Sequence, residues 1–161
     1  MRNKMILMMA MLCVAFNASA QDSAALAMVK NWVDTKVFTF QATSMTPSKG
    51  GSRQLTGATY AVRVKGDTLI CDLPYIGRVY NVSSVTGESG MNFTSYQFSY
   101  ESKAGKKNKW LLTIKTKDLN ADRDLSFVFF DNGTATLNIT SSDRQFISYQ
   151  GKVTSSKDAQ R

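Results

Sequence analysis

The fold class predicted for this chain is α+β: one N-terminal helix packed on a strongly curved antiparallel β-meander of seven or eight strands. Three observations predict it. Apolar residues recur at helical spacing once, between Ala25 and Val33, and alternate at period two from Val37 onward. The alternating runs are punctuated by the turn signals Gly66-Asp67 and Asn132-Gly133, which join neighbouring strands as hairpins. A sheet of that many strands must curl or close, because a flat one leaves long edges unpaired.

The helix is expected from about Ser23 to Thr35. Ala25, Met28, Val29, Trp32 and Val33 share one face, Asp22 or Ser23 can cap the start, and Trp32 is the expected anchor on the sheet. Val37–Ser44 is the first strand, with Phe38 and Phe40 on one face. Met45–Gly57, holding Pro47, Gly50, Gly51 and Gly57, reads as a long connection. Thr59–Lys65 and Thr68–Leu73 form a hairpin around Gly66-Asp67. Asn92–Ser102, Lys109–Lys117, Leu125–Phe130, Thr134–Thr140 and Arg144–Val153 supply the remaining strands, each alternating apolar with polar positions.

What precedes the helix is of another kind. Arg2 and Lys4, the apolar run Met5–Phe16 and the small residues Ala18-Ser19-Ala20 are the three parts of a secretory signal peptide, expected over residues 1–20. The run is too short to span a bilayer and no later segment is longer, so no transmembrane segment is expected. The remaining 141 residues suit one domain, placed at 21–153, with a disordered tail at 154–161. The protein is therefore expected to be exported, to the periplasm or cell envelope or beyond it.

Composition excludes several chemistries. The chain has no histidine, which removes the usual general base, the commonest metal ligand and the Ser-His-Asp and Cys-His nucleophile arrangements. Cys13 leaves with the signal, so Cys71 has no intramolecular partner. Lying between Leu69 and Leu73 at strand spacing, it is expected to be reduced and buried. No metal or cofactor is expected. Of the formal charge of +8, Arg2 and Lys4 carry two. Much of the rest lies in Lys103, Lys106, Lys107 and Lys109, which read as gatekeepers of a hairpin tip or as a contact for an anionic surface. Nucleic acid is not expected, since these lysines accompany no recognition motif.

One segment departs from the hairpin grammar. In Asp72-Leu73-Pro74-Tyr75-Ile76-Gly77-Arg78-Val79-Tyr80, Pro74 cannot donate to a ladder and Gly77 frees the backbone for a bend. One reading is a corner at the sheet margin with Tyr75 and Tyr80 packed inward. The other is a recognition loop of Asp72, Tyr75, Arg78 and Tyr80, in which Tyr75 stacks, Arg78 pairs an anion and Asp72 orients Arg78.

Leu73-Pro74-Tyr75-Ile76-Gly77-Arg78-Val79-Tyr80 resembles the central signature of a Bacteroidota family known as domain of unknown function 4251. The Phe38–Phe40 strand with its Pro47/Gly50 loop, the Gly66-Asp67 turn and Ile147-Ser148-Tyr149-Gln150-Gly151 are similar to further pieces of it. The resemblance implies an exported bacterial protein and transfers no catalytic residue. It also implies O-glycosylation at Asp-Ser/Thr-apolar sites, here Ser23 in Asp22-Ser23-Ala24 and Thr68 in Asp67-Thr68-Leu69.

The expected function is that of an exported, non-catalytic cell-envelope module that binds a small apolar or amphipathic ligand, or a partner protein, through its curved sheet. The alternatives are an envelope-polymer hydrolase using paired carboxylates, Asp67 with Asp72 or Asp118 with Asp122, and a purely structural or interaction protein.

Overall fold

The computed structural model describes residues 27–56, 60–80, 90–106 and 109–155; the signal segment, Ser23 and the helix start, Lys107 and residues 156–161 of the tail lie outside them, while Thr154, expected to open the tail, belongs to the last strand. Helix α1 (27–34) leads into β1 (Val37–Pro47), β2 (Arg53–Gln54), β3 (Ala61–Lys65), β4 (Thr68–Pro74) and β5 (Gly90–Ser95). There follow β6 (Phe98–Ala104), β7 (Trp110–Thr116), β8 (Arg123–Phe129), β9 (Thr134–Ser141) and β10 (Ile147–Thr154). All belong to one antiparallel sheet in the order β5-β4-β3-β1-β10-β9-β8-β7-β6, with β2 added to β1.

That order explains how the sheet curves. Nine antiparallel neighbours in a row give the first and last strand the same direction. β5 and β6 therefore run the same way, although only Tyr96 and Gln97 separate them. They are the two halves of one long strand with a kink, the first half paired to β4 and the second to β7. The segment Asn92–Ser102, expected as a single strand, is thus one chain direction with two sets of neighbours, and it brings the sheet close to a barrel.

Asp118 holds the kink. Its carboxylate accepts hydrogen bonds from the Ser95 hydroxyl (2.5 Å) and from the amides of Tyr96 (2.7 Å) and Gln97 (3.2 Å). The Lys117 amide donates to the Gln97 carbonyl. These bonds to the charged form, led by that from Ser95, hold Asp118 below the usual carboxylate range.

The inward positions fill the sheet's concavity. β8 buries every second residue, Arg123, Leu125, Phe127 and Phe129, as strand periodicity requires. Phe38 meets Phe127 and Phe129 edge to face at 5.7 and 5.5 Å, and Phe40 meets Phe127 at 5.7 Å. Tyr149, Leu69, Cys71 and Leu137 complete a packed interior. Cys71 is buried and free, and burial pushes its thiol pKa up.

Three expectations need correction. β1 does not stop at Ser44: it continues to Pro47 against β10, and β2 lies within the stretch expected to be only a connection. A bulge between Ala42 and Ser44 permits this, because it re-aims Met45 into the core. Gly151 faces the bulge so closely that a Cβ there would overlap the Gln41 carbonyl. The last strand begins at Ile147 rather than Arg144, which forms an isolated bridge to Val79. On α1 the fully buried anchors are Val29 and Val33; Trp32, half-buried, packs against the same core, while Met28 is 57% exposed. The helix ends where Lys36 takes a left-handed conformation (φ 54°) and its carbonyl accepts from Gly66.

Candidate functional site

Strand directions sort the connections to two ends of the barrel. The α1–β1 junction and the β3–β4, β6–β7 and β8–β9 turns share one end, the helix end. The β1–β3, β4–β5, β7–β8 and β9–β10 connections share the other, and the unusual segment lies there.

β4 stops at Pro74, which has no amide hydrogen to carry a ladder onward; its carbonyl accepts a 2.6 Å bond from the Tyr149 hydroxyl inside the barrel. The chain then folds back on itself. The Tyr75 ring lies across Gly77, so a Cβ at this position would displace the phenol. The phenol oxygen stands 3.0 Å from the Arg78 carbonyl and 3.1 Å from the Gln145 carbonyl, and its one hydrogen serves both. Desolvation is the largest influence on that phenol and raises its pKa.

The segment is stitched to the β9–β10 connection. Tyr80 donates its amide to the Asp143 carbonyl (2.7 Å), Gln145 donates to the Arg78 carbonyl (3.1 Å), and Val79 bridges Arg144.

Beneath this corner lies a partly buried ionic cluster. Arg123 points inward from the start of β8 and donates to both Asp143 oxygens, at 2.7 and 3.3 Å. Ser141 donates to Asp143 as well, and Arg144 Nε lies 3.4 Å from it. Burial works to raise the Asp143 pKa. The hydrogen bonds from Ser141 and Arg123 and the two guanidinium charges outweigh it, so the carboxyl stays below its usual range. Both guanidinium groups also lie over aromatic faces, Arg144 over Tyr75 at 5.3 Å and Arg123 over Phe93 at 5.7 Å.

The predicted quartet is therefore divided. Tyr75 is half-buried and committed to its own corner. Arg78 is exposed, and Tyr80 is 63% exposed rather than packed inward. Asp72 stands on the outer face of β4, in register with Ala61 and Asn92, and among the described residues no ion pair joins it to Arg78. Pleating sends Asp72 outward while the chain turns away after Pro74, so it does not orient the guanidinium.

Sequence reasoning missed what surrounds Arg78. Ile76, Val79, Tyr80 and Phe146 are four of the seven large hydrophobic side chains exposed among the described residues, and all lie on the two stitched segments. It also missed Arg123 and Asp143. A signal for Arg123 was present: a charged residue at the phase of Leu125, Phe127 and Phe129 must point inward and needs a partner.

The Asp67/Asp72 pair does not face across a cleft, and Asp118 has another role. Asp118 is spent on the kink. Asp67 sits in the turn before β4 and Asp72 five residues along, about 16 Å away on an extended strand, beyond the separation glycoside hydrolysis uses. Asp122 lines an open outer groove of about 500 Å³ beside Lys115, which is paired with Asp124 at 3.2 Å. Among the described residues no group of three His, Cys, Asp or Glu is placed to hold a metal ion, and no helix is long and apolar enough to cross a membrane. Thr68 opens β4 and is half-buried.

The family model described as "Domain of unknown function (DUF4251)" matches residues 20–153. The structure is similar to the crystal structure of a DUF4251 family protein from Bacteroides eggerthii DSM 20697, with a TM-score of 0.57 and 13% identity. The match covers 84% of this chain and 88% of that one. At that identity the likeness carries the fold alone. No curated protein matches the chain.

Proposed function

We propose, for a chain that belongs to the DUF4251 family, an exported, non-catalytic cell-envelope module that captures a partner protein through the corner of residues 75–80 and Phe146. One observation carries this reading: Ile76, Val79, Tyr80 and Phe146 are exposed beside an exposed Arg78, on two segments that the ladder to Asp143 and Gln145 holds rigid. Aromatic and aliphatic anchors next to an arginine, preorganised on a scaffold, are the composition of interface hot spots. Tyr75 serves that surface from behind, by fixing the backbone that presents Arg78 and Tyr80. Export rests on the signal features of residues 1–20.

A small apolar ligand in the concavity is less well supported, because Phe38, Phe40, Phe127, Phe129 and Tyr149 already fill it. The hydrolase alternative has no supporting geometry in the Asp pairs. An O-glycan on Ser23 or Thr68 belongs to the same reading of an exported protein; the intact mass of protein purified from its native host tests it, and an unmodified mass ends it.

The test of capture is the double variant Arg78→Ala/Tyr80→Ala, which leaves the buried cluster alone. Wild-type protein crosslinked to an envelope fraction should retain defined partners that the folded variant loses. A folded variant that keeps the same partners overturns the proposal.

A further inference from the structure

We infer that the helix end of the barrel docks on an anionic lipid surface, with Lys36, Lys106 and Lys109 meeting the headgroups and Met28 entering the boundary with the acyl chains. This does not rest on the corner at the opposite end.

Three lysines at this end lie over aromatic rings: Lys30 over Trp110 at 5.7 Å, Lys36 over Tyr100 at 5.3 Å and Lys109 over Phe130 at 5.1 Å. The rings come from β6, β7 and the end of β8, and the ammonium groups are gathered around them. Lys103 and Lys106 are exposed on the adjoining hairpin. Asp34 is already bound to Lys30 at 2.5 Å, and the other acids in the turns of this end, Asp67 and Asp131, are outnumbered by Lys36, Lys103, Lys106 and Lys109. Cations that rest on apolar rings and keep their heads in water suit a membrane boundary, where stems and rings face hydrocarbon and ammonium groups face phosphate.

An exposed apolar side chain on α1 decides between lipid and an anionic glycan. Met28 is 57% exposed there. An acidic polysaccharide has no use for that thioether, whereas a bilayer boundary takes it up.

Co-sedimentation of the exported protein with phosphatidylethanolamine–phosphatidylglycerol vesicles, against phosphatidylcholine vesicles, tests the inference. Binding should be confined to the anionic vesicles. It should fall as salt rises from about 0.1 M to about 1 M, where the Debye length shrinks from about 10 to about 3 Å. Lys106→Ala/Lys109→Ala should lower partitioning about 25-fold, at roughly fivefold per lysine. Met28→Ser, which removes no charge, should lower it severalfold. The control Lys49→Ala/Arg53→Ala removes the same charge from the opposite end and should change nothing, with all variants matched to wild type in thermal melting. Equal binding to phosphatidylcholine, an equal loss in the control, no loss in the lysine pair, or indifference to Met28→Ser would each overturn the inference. So would binding to a soluble anionic polysaccharide in place of the vesicles.

Discussion

The two ends of the barrel are closed by different physics. At the helix end, Val29 and Val33 press an amphipathic helix onto the sheet, and exposed or half-buried lysines lie over aromatic rings. At the corner end, the chain is stitched down by backbone hydrogen bonds above a cluster in which Arg123, Asp143 and Arg144 depend on one another. Apolar closure is non-directional and tolerates substitution. Ionic closure is directional, and removing Asp143 leaves Arg123 charged and buried without its carboxylate. The first suits a cover that has only to fit. The second suits a surface whose side chains must be held in fixed positions.

The largest effect should come from Asp143. Asp143→Ala leaves Arg123 without its carboxylate, and a loss of about 3–5 kcal/mol in a denaturant titration is expected. A loss near zero would mean that the cluster is not what closes this end. Next is Val33→Ala, which removes buried apolar surface from the opposite closure and should cost about 2 kcal/mol. The first loss should depend on pH and the second should not.

That dependence has a definite sign. Asp143 and Asp118 are both held below the unfolded carboxylate value. The stability they contribute is present above about pH 4 and is lost as pH falls through their lower folded values. Acid denaturation should therefore be shallower in Asp143→Asn than in wild type, while Val33→Ala keeps the wild-type slope. Parallel acid limbs in wild type and Asp143→Asn would remove Asp143 from the account.

Smaller effects sharpen the contrast. Tyr149→Phe leaves the Pro74 carbonyl without its 2.6 Å donor and should cost about 1 kcal/mol. Arg78→Ala, at an exposed position, should change stability by no more than about 0.5 kcal/mol, so any loss of partner capture in that variant reports on the surface itself.

Much of this fold is legible in the residues. The change of period at Val37, the turns Gly66-Asp67 and Asn132-Gly133, and the placement of Leu69, Cys71 and Leu73 on one buried face follow from local geometry, which acts over two to four residues. The corner was legible as an interruption, because Pro74 and Gly77 break a ladder wherever they stand. The direction of its side chains was not. Tyr75 turns inward because Gly77 leaves room for its ring and because the Gln145 carbonyl, seventy residues away in sequence, accepts its proton.

Neighbours along the chain are enough to specify the helix, the turns at Gly66-Asp67 and Asn132-Gly133 and the inward faces of β4, β8 and β9, and the residue types exclude histidine chemistry. Long-range packing was needed for Asn92–Ser102 to change partners midway, for Asp118 to clamp the kink, and for Arg123 to find Asp143 beneath the corner presenting Arg78, Tyr80 and Phe146. Those outcomes depend on which distant strands become neighbours when the sheet curls. Alternation says which face a residue takes, but not which residue of another strand will stand opposite it.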